Sequence, residues 1–256
     1  MKIISWNING LRAIQKKGFI EWLYKEKPDI IGLQEIKAKA DQLPQELITP
    51  DGYYGYINSA ARPGYSGTAI YSKAKPKNIS YGFTPHCGAK FDSEGRILSA
   101  DFGDFIFLNI YFPNGKSGHI RLKYKLDFYD AALAYFDSLV EKGEHLIITG
   151  DVNTAHSPID LARPKENEDI SGFLPIEREW MDKLVAHGFV DCFRKFNPEP
   201  NNYTWWSQRS GARQRNVGWR IDYFFVSKNF RPHIKNCYHL TDVMGSDHCP
   251  IVLELK

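Results

Sequence analysis

Six stretches of this 256-residue sequence place carboxylates, carboxamides, an imidazole or a phenol where an apolar run starts or stops. Asn7 and Asn9 follow the run 2–6, and Gln34 and Glu35 end the run 29–34. Tyr111 and Asn114 close 104–111, and Asp151 and Asn153 follow 145–149. Asp222 opens 221–227, and Asp247 and His248 precede 251–254. Taken singly, each has a plain structural reading: Gly-Asp-x-Asn after a strand makes an Asx turn, and Asp-His is a surface dipeptide. Taken together they suit oxygen-ligand chemistry. A carboxylate such as Glu35 suits Mg²⁺ or Mn²⁺, hard ions that keep water and engage phosphate oxygens. An Asp paired with His suits an oriented imidazole that donates to developing negative charge. Hydrolysis of a phosphodiester uses every one of these groups.

Such groups need rigid elements behind them, because sites are built on loops that a scaffold positions. The run 29–34 is continuously apolar, as in a strand buried on both faces. Further strands are predicted over 2–6, 68–72, 97–102, 104–111, 145–149, 221–227 and 251–254. The spacing of Leu122, Leu126, Tyr129, Leu133, Phe136 and Val140 predicts a long amphipathic helix over 121–141. Residues 19–27 predict a helix stopped by Pro28, and 175–187 a helix with Pro175 at its first turn and Gly188 past its end. The stretch 155–174 keeps Ile159, Leu161 and Ile170, so an ordered functional loop is expected. No linker, low-complexity tract or fixed-period repeat divides the chain. One layered α/β domain over residues 1–256 is the expectation.

Lys plus Arg number 33 against 30 Asp plus Glu, a formal net charge of +3, which excludes a polybasic coat for nucleic acid. Any grip on a polyanion depends on where the charges sit. Aromatics reach 14%, with six Trp, more than a plain scaffold needs. Cys87, Cys192, Cys237 and Cys249 form no C-x-x-C pair and read as buried thiols in a reducing compartment. The N-terminus has no signal-peptide core, and no run approaches a membrane span, so a soluble, cytoplasmic protein without membrane contact is expected. A monomer is expected as well.

The motifs Trp6-Asn7-Ile8-Asn9-Gly10-Leu11-Arg12-Ala13, Leu33-Gln34-Glu35-Ile36-Lys37, Gly64-Tyr65-Ser66-Gly67, Gly150-Asp151-Val152-Asn153, Gly218-Trp219-Arg220-Ile221-Asp222-Tyr223 and Ser246-Asp247-His248-Cys249-Pro250 carry the resemblance. In this order they resemble the exonuclease III family of AP endonucleases, within the DNase I-like endonuclease/exonuclease/phosphatase superfamily. The resemblance covers residues 4–250. It implies a four-layered α/β sandwich, two mostly antiparallel sheets packed face to face with helices outside. It also implies Mg²⁺-dependent cleavage 5′ to abasic sites in double-stranded DNA, with 3′-end processing such as 3′–5′ exonuclease or 3′-phosphodiesterase action. Damaged 3′ ends are then a second substrate class.

By motif, the resemblance makes Glu35 the principal metal ligand, with Asn7 and Asp247 completing or supporting the metal site. Asp151 matches the group that activates the attacking water, and Asn153 its partner in orienting water and phosphate. His248 matches the imidazole on the scissile phosphate, Asp222 the carboxylate that orients it, and Tyr111 the phenol near the phosphate or leaving group. Asp151, Asn153 and His248 border the metal as well. Asn9 stands where some members have Asp, and an Arg that some members place beyond Tyr111 has no match near Lys116 or Ser117.

The same resemblance makes Trp205, Trp219 and Ile221 walls of a pocket for a flipped, base-free sugar, with Trp206 read as a core residue. A flipped nucleotide costs least where pairing is already lost. Tyr65 and Arg209 match loop positions that probe the helix near the lesion, and Arg12, Asn114 and Lys116 flank the motifs on the DNA side. Of the basic residues near the motifs, including Lys37, Lys39, Lys123, Lys125, Arg213, Arg215 and Arg220, those facing the cleft would neutralise phosphates. Two other readings remain at this stage. One is a module that binds DNA without cutting it, which could lose Glu35, Asp151, Asn153, Asp222 and His248 without penalty. The other is an inositol phosphatase or sphingomyelinase-like lipase of the same superfamily, which needs a head-group pocket.

Overall fold

The computed structural model describes residues 1–83 and 89–256, so Cys87 lies outside the described residues. Two six-stranded sheets form the centre. The first runs Ile234–His239, Ile251–Leu255, Lys2–Asn7, Ile30–Gln34, Thr68–Ser72, Tyr54–Asn58. The second runs Asn78–Tyr81, Ile97–Asp101, Ile106–Ile110, Leu146–Asp151, Asp222–Ser227, Phe189–Asp191. Each is antiparallel apart from one central parallel pair, Lys2–Asn7 beside Ile30–Gln34 and Ile106–Ile110 beside Leu146–Asp151.

Successive side chains of a strand point to opposite faces, so a sheet covered on both faces needs apolar residues throughout. Ile3 and Ile30 pack between the sheets, while Ile4 and Ile31 pack outward against helices Leu11–Gln15 and Phe19–Glu26. In the second sheet Ile147 faces the other sheet, and Leu146 and Ile148 face helices His119–Glu141 and Pro175–Ala186. This is the four-layered sandwich that the resemblance implied.

The space between the sheets is not uniformly apolar. The Gln34 amide donates to Asn109 at 2.6 Å and Ser5 at 2.9 Å, and the Asn109 amide donates to the carbonyls of Leu33 and Ala69. All three residues are buried, so these bonds fix the register of one sheet against the other directly under the site. Gln34, grouped with the chemical residues in the sequence, is therefore a structural pin. A Cβ on Gly32 would meet the Asn109 side chain at 2.9 Å, which explains a glycine inside a central strand.

The predicted strands and helices are present within a few residues of their expected ends. The helix predicted over 121–141 begins earlier, at His119 after Gly118 (φ 93°). Stretch 155–174 is ordered by two short 3₁₀ turns, Pro158–Asp160 and Pro164–Asn167. Its buried anchors are Leu161 and Phe173, whereas Ile159 is half-buried and Ile170 is 43% exposed. Cys192, Cys237 and Cys249 are buried free thiols. Among the described residues no helix is long and apolar enough to cross a membrane.

Candidate active site

The two central strands end side by side in matching turns. Asn9 N–H donates to Asn7 Oδ1 at 3.0 Å, and Asn153 N–H donates to Asp151 Oδ1 at 2.8 Å. Both are Asx turns, as the sequence alone suggests. Asn9 and Asn153 take left-handed φ of 49° and 56°, a region Asn tolerates. Glu35 and Lys37 also take left-handed φ, 53° and 51°, which is costly for long side chains. Backbone held this way persists where surrounding structure over-determines it, commonly at functional sites.

The two turns meet through Asn7. Its amide donates to Glu35 Oε1 at 2.9 Å and to Asp151 Oδ2 at 2.8 Å. The amide orientation is dictated by its partners, since the N–H of Asn9 requires oxygen on the other side. Asn7 thus presents N–H groups to both carboxylates and holds them in place. Glu35 Oε1 also accepts from the Tyr111 hydroxyl at 2.7 Å, and Oε2 pairs with Lys37 Nζ at 2.7 Å. Burial alone would raise the Glu35 pKa; Lys37, Asn7 and Tyr111 together hold it below its usual value. Burial and the neighbouring Glu35 push the Tyr111 phenol well up, so it stays protonated and donates.

On the other side, His248 Nδ1 bonds Asp222 Oδ2 at 2.8 Å, which leaves Nε2 facing Asp151 Oδ2 at 3.8 Å. Thr204 Oγ1 donates to the same Asp222 oxygen at 2.6 Å and fixes that carboxylate. Burial disfavours the imidazolium, but Asp222, Asp151 and Asp247 outweigh it and raise His248 to about 10. Burial raises Asp151, with Asp222 and Glu35 acting the same way and His248 opposing them.

Glu35, Asp151 and His248 each bring a ligand atom within 4.8 Å of the others. Two carboxylates, with no thiolate joining them among the described residues, form a donor set for a hard divalent cation, and the residues fit such an ion. Asp247 stands beside this set. Its oxygens accept from Asn9 Nδ2 at 2.9 Å and Trp205 Nε1 at 3.1 Å, and burial's upward push on its pKa is outweighed by His248 and these bonds.

The set opens into a cavity of about 280 Å³ lined also by Asn114, Lys116, Gly172, Trp205, Trp219 and Ile221. Trp205 and Trp219 pair across a two-residue ribbon with their rings at 80°. Trp206, as read from the sequence, turns into the core, where its indole donates to Asn216 Oδ1. Asn114 donates to Asn153 Oδ1 at 3.0 Å. Arg209 lies in an adjoining groove that shares Lys116, Trp205 and Trp219. Arg12 is exposed and outside the cavity. Tyr65 is also outside it, and its hydroxyl is fixed by Arg96 and Arg121, both donating to it.

Several basic residues near the motifs do not face the cleft. Lys125 is fully buried against Glu177 at 2.7 Å, and Arg220 is fully buried between Asp160 and Asp191. Lys123 pairs with Asp127, and the Arg213 guanidinium is spent on the carbonyls of Thr241, Val243 and Ser246. Buried ions need a specific partner, and a linear sequence does not reveal one. Sequence reasoning also missed Arg96, buried with its guanidinium 4.5 Å from the Tyr111 ring and bonded to the Tyr111 carbonyl. Lys37, by contrast, does line the cavity, where its amine is held by Glu35 and Asn9.

Comparison with known proteins places this arrangement. Residues 4–248 match the Endonuclease/Exonuclease/phosphatase family. The chain is 43% identical over 255 residues to an exodeoxyribonuclease of Bacillus subtilis (strain 168), covering 99% of this chain and 98% of the relative. It is 41% identical over 258 residues to a DNA repair nuclease of Danio rerio, APEX1, covering 100% of this chain and 82% of that protein. The solved structure of an AP endonuclease from Archaeoglobus fulgidus superposes with a TM-score of 0.89 at 28% identity, over 100% of this chain and 99% of that one. Similarity of this extent along nearly the whole chain leads to one conclusion: the protein belongs to the endonuclease/exonuclease/phosphatase family.

Proposed function

We propose that this protein, a DNA repair nuclease of the exodeoxyribonuclease and AP endonuclease kind, hydrolyses the phosphodiester 5′ to an abasic site in double-stranded DNA. It uses Mg²⁺, with Mn²⁺ as a substitute, and processes damaged 3′ ends at the same site. The observation that carries the reading is the junction of two features in one cavity: a hard-donor carboxylate pair at Glu35 and Asp151 with the His248 imidazole beside it, and a two-indole pocket at Trp205 and Trp219. Because the cluster draws Glu35 from one sheet and Asp151 from the other, residues 1–256 act as one unit. A site completed within one chain supports a monomeric enzyme.

Glu35, steadied by Asn7, is the principal ligand for the metal, and Asp247 with Asn9 supports that rim. The bound ion supplies positive charge against the charge that builds on phosphate oxygens. Asp151 accepts the proton of the attacking water, and its raised pKa brings it nearer to the range that suits a general base. Asn153, fixed by Asn114, orients water and phosphate. His248, kept cationic by Asp222, donates from Nε2 to a non-bridging oxygen. Tyr111, kept protonated, serves the phosphate or leaving oxygen. Trp205, Trp219 and Ile221 receive the flipped sugar, and Lys116, Arg209, Arg12 and Tyr65 contact the flanking DNA.

The test is a panel of end-labelled duplexes: intact, abasic, nicked and 3′-blocked. Incision 5′ to the abasic site in Mg²⁺, abolished by EDTA and restored by Mg²⁺, is expected. Asp151→Asn is expected to keep binding and lose roughly 10²-fold or more in single-turnover rate. Unchanged cleavage in EDTA, or an unchanged rate in Asp151→Asn, contradicts the assignment.

A further inference from the structure

The sugar pocket holds an amine that the proposed cleavage does not consume. Lys116 Nζ lies 5.3 Å from the Trp205 ring centroid and 5.6 Å from that of Trp219, and the two centroids are 6.4 Å apart. The three points make a nearly equilateral triangle at the corner of the pocket. Among the described residues Nζ has no ion pair or hydrogen bond; the Lys116 backbone N–H alone is engaged, by Asn114. Lys37, the other amine lining the cavity, is held by Glu35 and Asn9. The Lys116 side chain keeps an exposed surface, so a ligand can reach it. Desolvation over the indoles pulls its pKa below the usual lysine value, with Asp151 and Glu177 opposing. A lysine shifted this way has more of the neutral, nucleophilic form at neutral pH than a solvated one.

A deoxyribose that has lost its base is a hemiacetal in equilibrium with a ring-opened C1′ aldehyde. We propose that Lys116 forms a reversible imine with the C1′ aldehyde of an abasic sugar seated in the cavity that Trp205 and Trp219 line. The Nζ lone pair attacks C1′, the amine protons pass to the carbonyl oxygen, and water leaves as the C=N bond forms. Hydrolysis returns amine and aldehyde, so the step needs neither oxidant nor reductant. This inference rests on the abasic-site reading above.

The experiment uses the intact protein in EDTA with two duplexes, one bearing a natural abasic site and one a tetrahydrofuran analogue that has no aldehyde. Borohydride supplies the hydride that makes an imine permanent. The expected result is a covalent adduct with the natural site alone, mapped to Lys116 by peptide mass. Lys116→Gln should lower adduct yield per bound duplex by about 10-fold or more. No adduct from the wild-type protein, an adduct mapped to Lys37 or elsewhere, or undiminished yield in Lys116→Gln overturns the imine. A parallel Mg²⁺ arm separates the two readings. Incision of both duplexes without an adduct removes the imine and leaves the abasic-site reading standing. Failure to incise either duplex removes the abasic-site reading whatever the trapping shows.

Discussion

The Asn7 amide donates to the Asp151 carboxylate across the seam between the two sheets, at 2.8 Å, and its second hydrogen goes to Glu35. One fully buried carboxamide therefore sets the distance between a carboxylate of each sheet. The two acids repel each other, and the shared donor offsets part of that repulsion without adding a formal charge.

Asn7→Ala removes both donors, so Glu35 Oε1 keeps only the Tyr111 hydroxyl and Asp151 Oδ2 only the longer bond from Asn153 Nδ2 at 3.3 Å. A lost hydrogen bond to a charged group costs about 1.5–3 kcal/mol. The expected outcome is a lowered melting temperature, a kcat reduced by roughly 10-fold or more, and a raised Mg²⁺ requirement, since the acids are no longer held together. Thermal unfolding and a Mg²⁺ titration of incision check this. A variant with wild-type Mg²⁺ dependence would show that Asn7 does not organise the acids.

Asp222→Asn tests the charge on His248. In the folded protein Asp222, Asp151 and Asp247 raise His248 to about 10 against the opposing effect of burial. A raised pKa stabilises the fold fully below the unfolded imidazole value near 6.5, and the contribution is lost as pH rises through the folded value. The same window governs the imidazolium that contacts phosphate. Wild-type activity should hold on the alkaline side, while Asp222→Asn moves the alkaline limb of the kcat profile down toward the ordinary imidazole range. Losses of about 10-fold near pH 6 and well over 100-fold near pH 9 are expected. An alkaline limb left in place would mean that Asp222 does not set the protonation of His248.

The chemical residues of the site were largely legible in the sequence because each lies at a strand end or within four positions of one. Strand ends concentrate function, and carboxylate or amide residues there have few apolar explanations. The edge strands Tyr54–Asn58, Asn78–Tyr81 and Ile234–His239 were not legible: the first two hold only exposed and half-buried positions, and in the third the buried Ile234 and Cys237 are three apart, so no clean alternation marks them. Helix Cys192–Phe196 is only five residues long and is announced mainly by its cap, Asp191, which accepts from the N–H groups of Phe193 and Arg194. Residues that act through long-range partners were also hidden. Thr204 holds Asp222 from 18 residues away, and Arg96 holds the Tyr111 ring and carbonyl from 15 residues away, just before strand Ile97–Asp101. Nothing in local sequence distinguishes Lys125, sealed against Glu177, from a surface lysine that could meet DNA.

The indole pair separates pocket from core. Trp219 is half-buried, set edge-on to Trp205 and Phe173, and lines the cavity. Trp206, one residue from Trp205, is 3% exposed and lines none of it. Trp219→Ala should narrow the ratio of kcat/KM between abasic and intact duplexes by about 10-fold or more, since it opens a wall that packs the sugar and leaves no room for a base. Trp206→Ala should instead cost about 3–5 kcal/mol of stability and leave that ratio near wild type in the folded fraction. Competition assays with the two duplexes, paired with denaturant titration, distinguish the outcomes. Unchanged discrimination in Trp219→Ala would count against the pocket.

Asp160 carries a stability prediction independent of catalysis. Its Oδ1 accepts from Arg220 Nε at 2.7 Å and Arg194 Nε at 3.0 Å, and its Oδ2 accepts from the backbone and hydroxyl of Ser157. Burial would raise this carboxyl, but Arg220 and Arg194 hold it well below the usual Asp range. A depressed carboxyl pKa contributes stability that is present above the unfolded value near 3.9 and lost as pH falls through the folded value. Asp160→Asn keeps the shape and removes the charge, leaving the fully buried Arg220 guanidinium with Asp191 alone. A loss of about 3–5 kcal/mol is expected near neutral pH, the scale of a broken buried ion pair. Because the variant has no carboxyl to titrate there, its stability should fall less steeply with acid than that of the wild type. Urea unfolding at a series of pH values from neutral to acid measures both slopes. Parallel slopes would show that Asp160 is not ionised by its arginines, and a neutral-pH loss below about 1 kcal/mol would show that Arg220 finds another partner.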